Sequence, residues 1–392
     1  MNAENLDWDG PTGMRLSVHM MVLNAASVIE RALRSVASAA NEICIVDTGS
    51  SDGTPEIARC LADELGIGFH CVSLHPPAHP ELYFRDEPAS WGRAIPGPST
   101  GLPILRDWAD ARNRGLGACH GDWILKLDAD DECLDPDGLA KAVRHLAARP
   151  GIDYLVCPYE IVGQDSCLEI VTYQDRLWRN KPSVRFHLPL HERLSGRRDG
   201  NWLISAAGLR FRDWRDSAGM GVRIAHRNFK VLLAARERLV ARGGDLEPPS
   251  LYDLGNEALG VDPEFALGMF DLVRDVFASR REDAALWHKD VARARQSAGD
   301  LDGALSAYRA SIEIHPRMAA SWLGLGLLEH EMGQDGWEDD LESAIRIADE
   351  TGRFNVSLPD LAGARGLLGM PAPKKSTATI ELQTHSMANR FC

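Results

Sequence analysis

The chain has 392 residues, 44% hydrophobic and 26% charged, with a formal net charge of −14. That length supports two or more domains with sizeable cores, and no stretch approaches the roughly 18 apolar residues of a membrane-spanning helix. The acidic balance argues against general nucleic-acid binding. Residues 1–14 open acidic, without the basic region and apolar core of a signal peptide, and read as an N-terminal tail. Eight Cys, at 44, 60, 71, 119, 133, 157, 167 and 392, form no CxxC pair. This suits buried thiols in a reducing, cytoplasmic setting rather than a zinc ribbon or disulfide frame.

Residues 15–23 (RLSVHMMVL) predict a buried strand, with Ser27 as N-cap of a helix over 28–38. Residues 42–46 (EICIV) predict a second strand running into Asp47-Thr48-Gly49-Ser50-Ser51-Asp52-Gly53. Thr54 is expected to cap the next helix, with Pro55 at its first position; Gly66 ends it, and 67–74 is a third strand. Strands alternating with helices at this spacing imply a parallel, doubly wound sheet, whose ligands sit at the carboxyl ends of the strands. Asp47 stands at such an end. Residues 75–106 then break the pattern with a Pro-rich run, longer than the usual ~12–15 residue ceiling for a loop and more in keeping with a functional insertion. Its Tyr83, Phe84 and Trp91 are expected mostly to pack it down.

Helix resumes over 107–118, where Arg112 offers a planar fork for phosphate oxygens or, equally, a surface partner for Asp107 or Asp110. Next comes WILKLDADDE at 123–132, an apolar strand delivering Asp128, Asp130 and Asp131. Residues two apart on an extended chain share a face, so Asp128 and Asp130 reach one point. Two carboxylates there suit a hard divalent cation, or else an acidic turn before a helix. Asp135-Pro136-Asp137 starts that helix, and 154–162 and 167–173 read as antiparallel strands. From 173 to 230 there are 11 Arg and 2 Lys against 5 acidic residues, a local +8 that fits a phosphate-bearing ligand or a plain basic surface. Within it lies His191-Glu192, a metal-capable imidazole beside a carboxylate suited to general-base work, although an isolated dipeptide of this kind is more often structural. From about 225 the chain reads as helical, with Tyr252, Trp287 and Trp322 spaced 35 apart. The second unit continues with Gly299, Ala304, Tyr308 and Pro316, a tetratricopeptide-like pattern. The stretch 370–392 is poor in apolar residues and reads as a disordered tail.

Taken together, SVHMMVLNAASVIERALRSV, EICIVDTGSSDGT, DWADARNRGL, GDWILKLDADDE and LHERL, in this order over about residues 15–195, resemble the GT-A glycosyltransferases of family 2. The resemblance is to the branch with C-terminal tetratricopeptide-like repeats that includes the bacteriocin-peptide S-glycosyltransferases. It implies an α/β fold: a Rossmann-like, nucleotide-sugar-binding GT-A domain over 15–224, interrupted by the 75–106 insertion, then an all-α repeat region over 225–369. It also implies a nucleotide-diphosphate sugar donor, a divalent cation (Mn²⁺ or Mg²⁺) and inversion at the anomeric carbon. By position, Asn24, Asp47, Gly49, Ser50, Asp52, Arg112 and Asp128 would bind the nucleotide sugar. Asp130, Asp128 and His191 would hold the metal, and Glu192 or, second, Asp175 would be the base. The chain departs from the family where Leu23-Asn24-Ala25 replaces a common Lys-Asn-Glu.

The repeats suggest a peptide or protein acceptor, since they commonly form concave binding surfaces. A modified DNA base, a secondary metabolite and a glycan stay open, as does homo-oligomerisation. The rival from another class is an inactive GT-A domain acting as a repeat scaffold, against which stands the retention of Asp128, Asp130 and His191.

Overall fold

The computed structural model describes residues 13–85, 103–162, 168–195, 201–204, 209–214, 220–351, 356 and 358–370. Most of the expected N-terminal tail, Trp91 and the tail from 371 lie outside them. The first strand shows why the sheet forms. In β1 (Leu16–Val22), Leu16, Val18, Met20 and Val22 alternate with Ser17 and His19, so the apolar set falls on one face. That face packs on Ile29 and Leu33 of α1 (Ile29–Arg34), Ala58 and Leu61 of α2 (Thr54–Leu65), and Leu139 and Val143 of α4 (Pro136–Ala147). On the other side, Cys44 and Ile124 pack on Ala109 and Leu116 of α3 (Trp108–Leu116). The sheet is thus covered on both faces.

Strand β1 pairs in parallel with β2 (Glu42–Asp47) and β6 (Trp123–Lys126), and β2 pairs in parallel with β3 (Gly68–Ser73). Beyond β6 the sheet changes character. Strand β9 (Leu168–Arg179) runs antiparallel to both β6 and β8 (Tyr154–Val162). Then β13 (Phe211–Asp213) lies parallel to β8 and antiparallel to β7 (Asp131–Cys133), and β12 (Trp202–Ile204) also joins β8. The nine-stranded sheet is therefore mixed, wholly parallel from β3 to β6 and of both senses beyond it, with strand order β3-β2-β1-β6-β9-β8-β13-β7 and β12 beside β8.

Several local expectations change. Helix α1 begins at Ile29 without a side-chain cap, and Ser27 does not cap it. It stops early because the Ser35 hydroxyl donates back to the Ala32 carbonyl at 2.7 Å while accepting the Cys133 N–H at 3.0 Å. Thr54 is the first residue of α2, not its cap. Asp52 accepts the Thr54 N–H at 3.1 Å and its hydroxyl at 2.5 Å, and Gly53 makes the turn at φ +83°, a left-handed conformation that costs glycine little. Asp107 and Asp135 cap α3 and α4 as their sequences suggest, accepting the N–H groups of Asp110 and Gly138.

The described part of the 75–106 insertion folds down. After a 3₁₀ turn at Pro80–Leu82 come the paired strands β4 (Tyr83–Arg85) and β5 (Pro103–Leu105). Tyr83 is buried, with its hydroxyl on the Leu74 and Thr48 carbonyls at 2.7 and 3.0 Å, and Phe84 enters the helical core beside Phe229.

Helices begin at Met220, earlier than the repeat spacing suggests: α5 (Met220–Val240), α6 (Pro248–Ala258), α7 (Pro263–Ala278), α8 (Arg281–Ser297), α9 (Leu301–Ile314), α10 (Ala319–Met332), α11 (Trp337–Thr351) and α12 (Leu358–Leu367). Tyr252, Trp287 and Trp322 occupy α6, α8 and α10, the first helix of successive pairs. The Trp287 indole donates to the Phe270 carbonyl of the preceding pair at 2.8 Å. A Cβ at Gly255 would stand 2.7 Å from the Phe270 ring, so close helix contact requires glycine there. Among the described residues no helix is long and apolar enough to cross a membrane. Two short strands, β10 (Phe186–His187) and β11 (Arg193–Leu194), form a separate hairpin beside α3.

Candidate active site

Parallel pairing aligns Val22 with Asp47 and His19 with Lys126, so the loops after β1, β2 and β6 emerge together. The first two are laced to each other. Asn24, at φ +51°, accepts the Ser51 N–H at 2.8 Å and donates its own N–H to Ser50 Oγ at 2.9 Å. Asp52 accepts the Ala26 N–H at 2.9 Å. Asp47 is 1% exposed and accepts the Ser50 N–H at 2.9 Å and, more weakly, that of Gly49 at 3.4 Å; its second oxygen meets His75 Nε2 at 2.5 Å. Burial alone would raise its pKa, but the hydrogen bonds from Ser50 and His75 outweigh it and hold the carboxyl below its usual range. Asn24, Asp47, Gly49, Ser50 and Asp52 therefore build one rim.

Arg112 joins the acidic turn to the loop carrying Glu192. It lies on the sheet-facing side of α3, 3% exposed, with Nη2 on Asp128 Oδ1 at 2.7 Å and Nε on Glu192. The loop carrying Glu192 is pinned to the same helix. Asn113 exchanges both amide hydrogen bonds with the Phe186 backbone, and the Trp108 N–H donates to the Pro189 carbonyl. Leu188 and His191 take positive φ of 76° and 52° within this loop, strain that persists only where surrounding contacts over-determine the backbone. Burial disfavours the Arg112 charge, yet Asp128 and Glu192 raise its pKa above normal. Its Nη1 is buried without a hydrogen-bond partner among the described residues. A buried unpaired guanidinium N–H is costly and marks a place for an acceptor oxygen.

The three aspartates of the acidic turn have separate environments. Burial works against ionisation of Asp128, but Lys126 at 3.6 Å, Arg112 and Arg176 at 3.9 Å prevail and hold it far below the ordinary carboxylate range. Asp131 is fully buried and fully partnered, by Arg176 at 2.6 Å, the Tyr159 hydroxyl at 2.8 Å and the Asp128 N–H at 2.9 Å. It is an anchor for the turn rather than the plain start of the next one. Asp130 has no side-chain cation partner among the described residues. Burial first, then repulsion from Asp131, Asp213 and Asp128, push its carboxyl up to about 7. Carboxylate oxygens of Asp130, Asp131 and Asp213 lie within 4.8 Å of one another. Such an all-oxygen, excess-negative set fits a hard divalent cation.

The remaining candidates lie further out. His191 Nε2 meets Glu257 of α6 at 3.0 Å, and Glu257 also accepts from Asn228 at 3.0 Å. Burial lowers the His191 pKa, but Glu257 and Asp253 raise it overall. Glu192 is held below its usual range: burial opposes this, and Arg112 and Lys126 outweigh burial. Asp175 sits opposite Val156 on β9, beside a bulge at Leu155/Val156, and the next residue, Arg176, is the one that reaches the acidic turn. Sequence reasoning missed Asp213, Arg176, Lys126, His75 and Glu257, none of which carries a local motif. Much of the basic block is spent internally, Arg176 on Asp131, Arg210 and Arg212 on Glu160, and Lys181 on Asp153.

Acidic groups converging at the carboxyl ends of parallel strands occupy the place where open α/β sheets bind their ligands. Residues 17–75 and 102–200 match the family described as Glycosyl transferase family 2, so the N-terminal part of the chain is similar to the domain of those glycosyltransferases. A TPR repeat-containing protein of Synechococcus elongatus is 27% identical over 83% of this chain and 74% of its own length. A PGL/p-HBAD biosynthesis glycosyltransferase of Mycobacterium tuberculosis is 29% identical over 32% of this chain, and the match spans 39% of that protein. Glucosyl-3-phosphoglycerate synthase of M. tuberculosis, solved with Mg²⁺ and uridine diphosphate, is 23% identical with a TM-score of 0.24, covering 38% of this chain and 44% of that one. The structure of MamA is 18% identical with a TM-score of 0.29, covering 40% of this chain and 87% of its own.

Proposed function

We propose that the chain transfers a sugar from a nucleoside-diphosphate donor to an acceptor with inversion at the anomeric carbon, and depends on a divalent cation. The observation that carries this is Asp130, a partly buried carboxylate grouped with the buried Asp131 and Asp213 and pushed up to about 7. Asp130 would hold Mn²⁺ or Mg²⁺, with Asp128 and Asp213 contributing and His191 as a further candidate. When bound, the cation neutralises charge that develops on the departing diphosphate.

The protein's own side chains do the rest. The Asn24–Asp52 rim receives the nucleoside, with Asp47 as the acceptor for base N–H groups. Arg112 Nη1 donates to the diphosphate while Asp128 and Glu192 hold the guanidinium in place. The acceptor attacks the anomeric carbon opposite the leaving diphosphate. One bond to carbon forms as the carbon–oxygen bond to phosphate breaks, and the acceptor's proton passes to a carboxylate. Glu192 stays the first candidate for that carboxylate and Asp175 the second. Glu192 is a weak base while it is paired with Arg112, so it can take the proton only as Arg112 shifts its charge towards the donor.

We read residues 15–224 as the catalytic unit and 225–369 as the helical unit. Glu257 of α6 reaches His191 at the edge of the site, which supports a peptide or protein acceptor presented by the helices. A thermal-shift screen of UDP-, GDP- and TDP-sugars with and without Mn²⁺ tests the reading, because a bound donor stabilises the fold by mass action. A cation-dependent shift that disappears in Asp130→Asn is the expected outcome. No shift with any donor, together with no donor hydrolysis, overturns it and favours an inactive scaffold.

A further inference from the structure

A second cluster of ligating groups lies at the opposite, amino-terminal ends of the parallel strands. Glu42, the first residue of β2, is 2% exposed. Its Oε1 accepts the Ser17 hydroxyl at 2.5 Å, the His120 N–H at 2.5 Å and the Gly121 N–H at 2.9 Å. These bonds, working against burial, keep Glu42 ionised below its usual range. The other oxygen, Oε2, faces two imidazoles, His70 Nε2 at 3.3 Å and His120 Nδ1 at 3.3 Å, whose rings lie 5.1 Å apart.

Two glycines clear this space. Gly68 is the β3 partner of Glu42, and a Cβ there would stand 3.3 Å from Glu42 Cβ. A Cβ at Gly121 would stand 2.7 Å from the Ser17 backbone nitrogen and hydroxyl.

We propose that Glu42, His70 and His120 form a binding site for a Zn²⁺-class ion, separate from the glycosyltransferase centre. Zn²⁺ holds imidazole nitrogen and carboxylate oxygen at about 2.0–2.1 Å, so neighbouring ligands at the tetrahedral angle lie about 3.3–3.4 Å apart. Both Glu42–His separations match that edge without rearrangement. A metal-ligating carboxylate is normally oriented by further hydrogen bonds, and Glu42 already has three on the oxygen that faces away from the imidazoles. Two imidazoles favour Zn²⁺, Ni²⁺ or Cu²⁺ over Mg²⁺ or Mn²⁺, which separates this chemistry from the all-oxygen set around Asp130. Among the described residues the competing cation is Arg15, whose guanidinium lies 4.0 Å from Oε2 on a side chain 56% exposed and free to swing into water. With three protein ligands the fourth position falls to water. The ion would tie the turn before β6 to β2 and β3.

The test uses the full chain, stripped with a chelator and dialysed, and titrated with Zn²⁺ in excess Mg²⁺ to occupy oxygen-only sites. Isothermal calorimetry should count one Zn²⁺ per chain in the native protein and in Asp130→Asn. It should count none in the double variant His70→Ala/His120→Ala, whose melting temperature in EDTA should match the native protein. Co²⁺ substitution should give the intense visible absorption of a tetrahedral centre, absent from the double variant. Should the double variant prove unstable, His120→Gln alone is expected to weaken Zn²⁺ at least about tenfold. Equal Zn²⁺ binding by native and His-substituted protein, or none by the native protein in excess Mg²⁺, shows a hydrogen-bonded cluster only and overturns the proposal.

Discussion

The two ends of one sheet treat a carboxylate in opposite ways. At the amino end Glu42 has three donors on one oxygen and two imidazoles on the other. At the carboxyl end Asp130 has carboxylates for neighbours and is pushed up to about 7. Both positions are set by the same backbone pairing. Only the second accumulates negative charge that the fold does not itself neutralise, and a deficit of that kind marks a place for a ligand. Asp131, one residue further on, is hydrogen-bonded by Arg176 and Tyr159, although burial still holds its carboxyl above the ordinary range against the pull of Arg176. The imbalance at Asp130 is therefore a property of that residue's surroundings rather than of acidic turns in general.

The contrast can be broken at its compensated members first. Glu42→Ala strands the Ser17, His120 and Gly121 donors, and Arg176→Met leaves Asp131 buried without its cation. Each should cost about 3–5 kcal/mol in denaturant unfolding, and a cost below about 1 kcal/mol would mean that these groups are not truly compensated. Asp130→Asn should lower donor turnover about 10²–10³-fold, as losing one main stabiliser of developing charge does, with little loss of fold stability. A stopped assay of donor hydrolysis checks this.

The same substitution should raise the stability of metal-free protein in a pH-dependent way. A carboxyl raised from 3.8 to about 7 contributes stability that is complete below the unfolded value and is lost as pH rises through the folded one. The gap in unfolding free energy between Asp130→Asn and the native chain, read from denaturant melts, should therefore widen from pH 5 to pH 8, towards an upper bound of roughly 4 kcal/mol. Mn²⁺ should close it, and a gap independent of pH would sink the electrostatic account. The smallest effect is expected at the junction with the helices. Glu257→Gln removes the mostly buried partner of the half-exposed His191, worth under about 1 kcal/mol, and should change KM for the acceptor more than kcat.

How far the site could be read from sequence follows the range of the interactions. Asp107 and Asp135 were legible as helix starts because a start signal is made within three residues, and in the structure both act as caps through their acceptor bonds to Asp110 and Gly138. The strand ends carrying Asp47 and Asp128 were legible from apolar runs that stop at an acid. Ser27 and Thr54 look like caps by the same local rule. Ser27 fails because the first helix begins at Ile29 with Val28 in the capping position, and Thr54 fails because Asp52 takes over at the second. The long-range partners had no such signal. Arg112 is equally consistent with a surface pair to Asp110, and only the packing of α3 on the sheet sends it to Asp128 and Glu192. Asp213 is separated by some eighty residues from the aspartates it joins and carries no motif. It arrives there because β13 pairs with β7.

Alone, then, the sequence determined the order of strands and helices, the loops that carry acids, and the 35-residue spacing of the helical array. These are properties of neighbours along the chain, where backbone periodicity and turn chemistry act within a few residues. The tertiary structure decided which of three adjacent aspartates is anchored, which is ion-paired and which is left with excess negative charge. That depends on a sum of burial and charge over groups brought from distant strands, and such a sum exists only once the sheet has formed.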